Sequence, residues 1–364
     1  MARYLVTGAT GFLGRHLVST LLESGHEVVA LCRSDEAELA ALGVRVVRGD
    51  VRDETSVKAA AIDCDGLFHA AGRVSRRRED AAQLYDLHVR GTRTALRAAH
   101  ESGVRRVVYV STSGTVAVSD DPDHIATEDD ATPIGIIQRW PYYRSKLFAE
   151  QTALEVAQDR EGFEVISVNP TLLLGPGDVR GSSTGDVVRL LEGRVPAIPP
   201  GGLSYVDVRD VATVLQSAME RGRPGRRYLV GACNVTLREF FARLSRLSGA
   251  SMPAITLPRV PGLSRMVSII AGRAGELIND EALDPISLEM AHFYWYLDAT
   301  RAQNELGFRP RDPIDTLADT IEDLERRGTV APRAERDARG SEAPSAIRRG
   351  RDAVGRLIER FRGQ

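Results

Sequence analysis

"VTGATGFLG", residues 6–14, sets Gly8, Gly11 and Gly14 three residues apart between an apolar run and a helix-period run. Glycine permits a tight turn and lets the backbone come close to a pyrophosphate. A helix that follows turns free N–H groups and the positive end of its dipole toward the anion. The spacing is G-x-x-G-x-x-G, not the commoner G-x-G-x-x-G, and a lone glycine pattern would be weak. Its context makes it strong: "RYLVTG" before it reads as a buried strand, and "GRHLVSTLLESG" after it as a helix closed by Gly25.

Outward from this loop the alternation continues. "HEVVALC", "VRVVRGD", "GLFHAAG", "RRVVYVSTS" and "FEVISVNP" read as further strands, with "ETSVKAAA" and "DAAQLYDLHVRGTRTALRAAHESG" as helical stretches between them. This predicts an α/β fold with a Rossmann-type, doubly wound parallel sheet over residues 1–169. After Pro170, Gly- and Pro-rich loops break up shorter elements. "SYVDV", at 204–208, is expected to return to the main sheet, and the rest of 170–328 to form a smaller, mostly helical substrate lobe. Ligands in such folds sit at the carboxyl ends of the strands, so the cleft between sheet and lobe is the expected site.

Residues 329–364 differ in texture and read as an arginine-rich linker and tail. From 331 onward nine arginines face five acids, and Ile347, Val354, Leu357, Ile358 and Phe361 share roughly one helical face. A basic amphipathic helix over 345–362 can make peripheral contact with an anionic membrane, dock on its own protein or stay solvated.

Composition bounds the rest. The 364 residues are 43% hydrophobic and 27% charged, as in ordinary globular proteins, and the net charge of −2 gives no reason to expect nucleic acid as a partner. Cys32, Cys64 and Cys233 are widely spaced and fit neither a disulfide framework nor a zinc site, so no metal is expected. A start of "MARYLVTG" does not resemble a signal peptide, and no apolar run is long enough to span a bilayer. The expectation is a cytoplasmic protein.

The end of the second strand speaks to the cofactor. NAD binders usually hold an acid there for the ribose hydroxyls, but this chain reads "ALCRS", with Cys32 in that place and Arg33 after it. An arginine beside a missing carboxylate suits a 2′-phosphate, so NADP is expected over NAD.

"YYRSK", residues 142–146, carries the chemistry. The chain has 48 basic residues, of which only Lys58 and Lys146 are lysines. Tyr142 and Lys146 stand at i and i+4, on one face of a predicted helix. A cation about 4 Å from a phenol contributes roughly 4 kcal/mol at an intermediate dielectric, enough to lower a tyrosine pKa of about 10 by a few units. Lysine, a compact charge on a flexible stem, can also reach a ribose hydroxyl in a way that arginine's planar fork does not. Tyr143, at i+3 from Lys146, is a minor competitor as donor. At the end of "VVYVSTSGT", Ser111, Thr112 and Ser113 offer a hydroxyl for a substrate carbonyl.

In this order and spacing, "TGATGFLG", "GDV", "HAAG", "STSG", "YYRSK" and "VNPTLLLGPGD" resemble the extended short-chain dehydrogenase/reductase family. Within it the chain is most similar to dihydroflavonol 4-reductase-like and hopanoid-associated epimerase-like members. The likeness runs from residue 2 to about 325, including "LDATRAQNELGFRP". It implies that Gly8, Gly11 and Gly14 cradle a pyrophosphate, with Thr10, Phe12 and Leu13 lining the turn. It puts Asp50 and Val51 at the adenine, Ala70, Ala71 and Gly72 on the ribose side, and Pro170 and Leu173 near the nicotinamide. Ser113 matches the hydroxyl that orients the substrate carbonyl, Tyr142 the proton donor, and Lys146 its ribose-binding partner. A paired-helix homodimer is usual among relatives. Two positions depart from the pattern: His88 stands where asparagine is common, and Asp207 where histidine often is. His69 and His88 read as structural histidines.

The reaction expected is NADPH-dependent reduction of a ketone or aldehyde, with Ser113, Tyr142 and Lys146 catalytic. Nucleotide-sugar epimerisation with NAD is the first alternative, and a redox-inert NADP-binding sensor the second. A sugar dehydratase is disfavoured because "STSGT" lacks neighbouring acids for proton removal. "LPRVPGLSRMVSIIAG" and "LEMAHFYWYL" tilt the expected substrate toward a small apolar or aromatic carbonyl compound; the bland alternative is that both stretches are lobe core.

Overall fold

The computed structural model describes residues 1–195, 197–253, 255–257 and 285–338. The apolar face predicted at 347–361, and residues 258–272 of the first apolar lobe stretch, lie outside the described residues.

Ten strands occur among the described residues: β1 (Arg3–Thr7), β2 (Glu27–Cys32), β3 (Arg45–Arg48), β4 (Gly66–His69), β5 (Arg106–Val110), β6 (Glu164–Pro170), β7 (Leu172–Leu174), β8 (Gly202–Asp207), β9 (Arg227–Val230) and β10 (Cys233–Thr236). Seven form one sheet in the order β3-β2-β1-β4-β5-β6-β9, all parallel. Near-continuous apolar strands are what a sheet covered on both faces requires. Tyr4 and Val6 of β1 face one core, which the helices Phe12–Glu23 and Val208–Arg221 cover; Leu5 faces a second core under Glu54–Ala61, Gly91–Glu101 and Pro141–Gln158. Strand order reverses between β1 and β4, the switch point beyond whose carboxyl ends doubly wound sheets bind ligands.

One strand departs from the sequence expectation. β8, expected in the main sheet, pairs antiparallel with β10 and parallel with β7 in a separate three-stranded sheet. The seventh place in the main sheet is taken by β9, with Ser167 opposite Arg227. Tyr205 of β8 is buried with Leu174, Val235, Phe240 and Leu317 in the lobe's own core, which anchors the strand there. An apolar run shows that a strand is buried, not which neighbour it takes. The chain therefore crosses into the lobe after β6, returns through Val208–Arg221 and β9, and leaves again at Gly231. Beyond that point the described lobe is largely helical.

A second departure is local. The helical stretch predicted at 80–103 is three pieces: Ala81–Tyr85, a π-helical turn Asp86–Arg90, and Gly91–Glu101.

Candidate active site

The glycine loop is built for close approach. Gly8 has φ +76°, in the left-handed region, and a Cβ there would lie 2.6 Å from the Ala70 carbonyl oxygen. A Cβ on Gly14 would lie 2.0 Å from the Gly8 carbonyl oxygen, so the helix start could not fold back on the loop with any side chain there. Gly11 caps the helix Phe12–Glu23 without a side chain, leaving the first N–H groups of a twelve-residue helix free to face an anion. These residues fit a dinucleotide pyrophosphate. Thr10 and Phe12 are partly exposed at the turn, whereas the Leu13 side chain is buried in the first core. His16 Nε2 lies 2.8 Å from the Pro176 carbonyl oxygen, tying this helix to the "GPGD" loop.

Beyond β2 the Arg33 side chain is exposed and makes no hydrogen bond or ion pair among the described residues. Cys32 points into the core, where burial pushes its thiol up to about 11. Asp50 accepts hydrogen bonds from Arg52 Nε at 2.9 Å and Nη2 at 2.8 Å, which hold its carboxyl below the usual range, with the Arg33 charge contributing. Val51 is buried in the second core. Ala70 and Ala71 hang from β1: their N–H groups donate to the Thr7 carbonyl oxygen at 3.2 Å and to Thr7 Oγ1 at 3.3 Å.

Tyr142 and Lys146 lie in the first turns of the helix Pro141–Gln158, which proline opens at its first position. That helix packs on the 3₁₀ turn Ser113–Thr115; a Cβ on Gly114 would strike the Tyr143 ring at 2.2 Å. Ser113, Tyr142 and Lys146 thus come to one corner, at the carboxyl end of β5. Neither the Ser113 nor the Tyr142 hydroxyl has a hydrogen-bond partner among the described residues.

Lys146 does not pair with Tyr142 as the spacing predicts. Its Nζ donates to the Val110 carbonyl oxygen at 2.7 Å and to the Tyr109 hydroxyl at 3.0 Å. Burial lowers its pKa to about 8, against the opposing charge of Glu150. The Tyr142 hydroxyl is pushed up, not down, by desolvation and by Tyr143 beside it. A phenol held protonated is the form that a reduction needs.

The sequence profile of the NAD-dependent epimerase/dehydratase family matches residues 4–231. The chain belongs to that family. It is an NAD(P)-dependent oxidoreductase of the extended short-chain type. A Synechocystis protein provisionally named dihydroflavonol 4-reductase is 33% identical over 90% of this chain and 96% of its own length. Sterol demethylase protein B of Methylococcus capsulatus is 32% identical over 90% of this chain and 99% of its own. Among solved structures, gox2253 superposes with a TM-score of 0.78 at 28% identity, covering 91% of this chain and 100% of its own. No helix among the described residues is long and apolar enough to cross a membrane.

Several residues of this short-chain oxidoreductase's site escape a sequence reading. Glu150, one turn beyond Lys146 and 1% exposed, accepts from Arg227 Nε at 2.6 Å with one carboxylate oxygen. The other accepts from Ser111, from Thr115 Oγ1 at 3.1 Å and from Asn169 Nδ2 at 2.8 Å. Asn169 Nδ2 also donates to the Thr112 carbonyl oxygen at 3.1 Å, pinning the start of the Ser113 turn. The one legible signal was an acid four residues after Lys146 on a buried helix face. Asp207, whose role the sequence left open, caps the helix Val208–Arg221 through the Arg209 N–H at 2.9 Å and forks with the Arg209 guanidinium.

His69 lies 2.8 Å from Thr7 Oγ1 and 3.0 Å from Thr92 Oγ1, and burial together with the Lys146 charge brings its pKa to about 3. The unfolded chain takes this proton near pH 6.5 and the folded one only near 3, so the stability contributed is complete above about 6.5 and falls on acidification. Between pH 8 and 5 the wild type is expected to lose about 2 kcal/mol more than a His69→Gln variant, read from urea unfolding midpoints. Equal losses would assign the proton elsewhere.

The lobe side is aromatic. Trp140 packs against Trp295 at 5.4 Å and Phe293 at 5.3 Å, and Tyr143 against Trp295 at 4.9 Å. Tyr143, Phe293 and Trp295 are partly exposed, while Trp140 is buried with its Nε1 donating to Glu289 at 3.2 Å.

Proposed function

We propose that this oxidoreductase reduces a ketone or aldehyde of a small apolar or aromatic substrate to the alcohol, with NADPH as cofactor and Tyr142 as proton donor. The observation that carries the reading is that Lys146 reaches the carboxyl end of β5, where Ser113 follows and the helix bearing Tyr142 packs, with neither the Ser113 nor the Tyr142 hydroxyl hydrogen-bonded among the described residues. Bound NADPH supplies the hydride. Gly8, Gly11 and Gly14 take its pyrophosphate, Arg33 its 2′-phosphate, Asp50 and Val51 the adenine end, and Ala70, Ala71 and Gly72 the ribose side, with Pro170 and Leu173 flanking the reacting ring. The Ser113 hydroxyl donates to the carbonyl oxygen and Tyr142 hands that oxygen its proton. Lys146, buried and cationic, offsets the phenolate left behind. The Trp295–Tyr143–Phe293 wall offers apolar surface to the substrate. Two relatives that match nine-tenths of this chain carry names referring to a dihydroflavonol, an aromatic compound, and a sterol, a largely apolar one, which supports that class.

The test is cofactor choice. One charge-assisted contact from Arg33 is worth about 1.5–3 kcal/mol, so NADPH is expected to bind about 10- to 100-fold more tightly than NADH. Arg33→Asp should reverse that order in a fluorescence titration. Protein purified with stoichiometric NAD, which it does not release to NADPH, would instead favour epimerisation with an internally recycled cofactor.

A further inference from the structure

His88 occupies the position where relatives commonly carry asparagine, and the structure gives it a defined task. It sits on the π-helical turn Asp86–Arg90 and is 1% exposed. Such turns insert one extra residue and often mark functional sites. Nδ1 of His88 lies 2.8 Å from Ser145 Oγ, and Ser145 Oγ donates its single hydrogen to the Tyr142 carbonyl oxygen at 2.7 Å. With that hydrogen used, Ser145 can only accept from the imidazole, so Nδ1 carries the proton. On the other side the Arg73 N–H donates to Nε2 at 3.0 Å, so Nε2 presents its lone pair. Both ring nitrogens are accounted for by one neutral tautomer. Burial and the Lys146 charge hold the ring's pKa well below its ordinary value, in accord with that state.

The ring connects two parts of the site. Arg73 follows directly on Ala70–Gly72, and a Cβ on Gly72 would come within 3.2 Å of Nε2, so the glycine lets the imidazole lie against the loop. Ser145 lies between Tyr142 and Lys146, and the imidazole meets the Tyr142 ring edge-on, centroids 5.9 Å apart. We propose that His88, as the neutral Nδ1–H tautomer, is a positioning residue: it clamps the cofactor-side loop to the first turn of the catalytic helix and sets the place of the Tyr142 hydroxyl relative to the bound nicotinamide. This rests on the reading of Tyr142 as proton donor. His88 touches no reacting atom and exchanges no proton in the reaction.

Misplacing a reacting group by about 1 Å costs on the order of 100-fold in rate. His88→Leu, which removes donor and acceptor together, is expected to lower kcat 10- to 100-fold with KM for the carbonyl substrate changed less than about threefold. His88→Gln, whose amide offers one donor and one acceptor, should recover most of that loss. Nitrogen-15 NMR of the wild type at neutral pH should show His88 with a protonated Nδ1 and a bare Nε2, which tests the assignment even where a variant folds poorly. An Nε2–H tautomer, or full kcat in His88→Leu, would overturn the clamp. Tyr142→Phe separates the two ideas: if it stays active, the donor assignment fails; if it is inactive while His88→Leu is not, only the clamp fails.

Discussion

Tyr142→Phe is expected to lower kcat by about 10²- to 10⁴-fold, the range a positioned general acid contributes, while NADPH affinity stays within about twofold. The phenol hydroxyl has no protein partner among the described residues, so its removal breaks no hydrogen bond and the fold should be as stable as before. Stability therefore cannot account for the loss. NADPH oxidation with a panel of aromatic and alicyclic ketones would measure it. Tyr143→Phe is the control. Its ring packs on Trp295 at 4.9 Å and faces Gly114, so it acts as wall, and burial pushes its hydroxyl up to about 12. It should retain kcat within about threefold. If the large loss followed Tyr143 instead, the proton donor would be the neighbour and the register of the site would shift by one residue.

The second large effect belongs to Glu150→Gln. Every group facing the carboxylate is a donor: Arg227, Ser111, Thr115 and Asn169. An amide of the same shape must turn its NH₂ toward one of them and leave Arg227 without a counter-charge. Removing one partner of a buried pair costs about 3–5 kcal/mol, and because Arg227 is 21% exposed the low end, near 3, is expected. Urea unfolding would show this as a lower midpoint at unchanged slope. A catalytic signature should accompany it. The Glu150 charge holds the Lys146 pKa up against burial, so its loss should move the basic limb of the kcat–pH profile below about 8. A stability loss under about 1 kcal/mol with an unmoved limb would make the cluster incidental to both fold and reaction.

What could be read from the sequence was what local physics decides. The φ of Gly8 and the room at Gly14 follow from a turn of three-residue glycine spacing, so the cradle is visible in "VTGATGFLG". Strands β1 to β6 are likewise visible because each is a self-contained apolar run. What could not be read depends on partners distant in the chain. Glu150 gathers residues 111, 115, 169 and 227, and no periodicity links them. The choice between β8 and β9 for the edge of the main sheet rested on which core each side chain joins. Lys146 shows the limit of spacing arguments: i and i+4 put it on the Tyr142 face, but the Val110 carbonyl oxygen decided where its ammonium went. In His88 the departure from the family pattern was legible; its tautomer needed Arg73 and Ser145 in place.

The double crossing of the chain between the two sheets bears on how such enzymes can diversify. Because β9 and the helix Val208–Arg221 return to the parallel sheet after β8 has entered the lobe, no single cut in the chain separates the seven-stranded sheet from the lobe. A graft of the lobe from a relative must exchange two separate inserts, 171–207 and the segment from 231 onward, around a retained strand. Recombination at one junction would strand β9 from β6 and expose the edge of the sheet. The sheet and the lobe are therefore tied together at two places in the chain, and neither can be exchanged as one contiguous module.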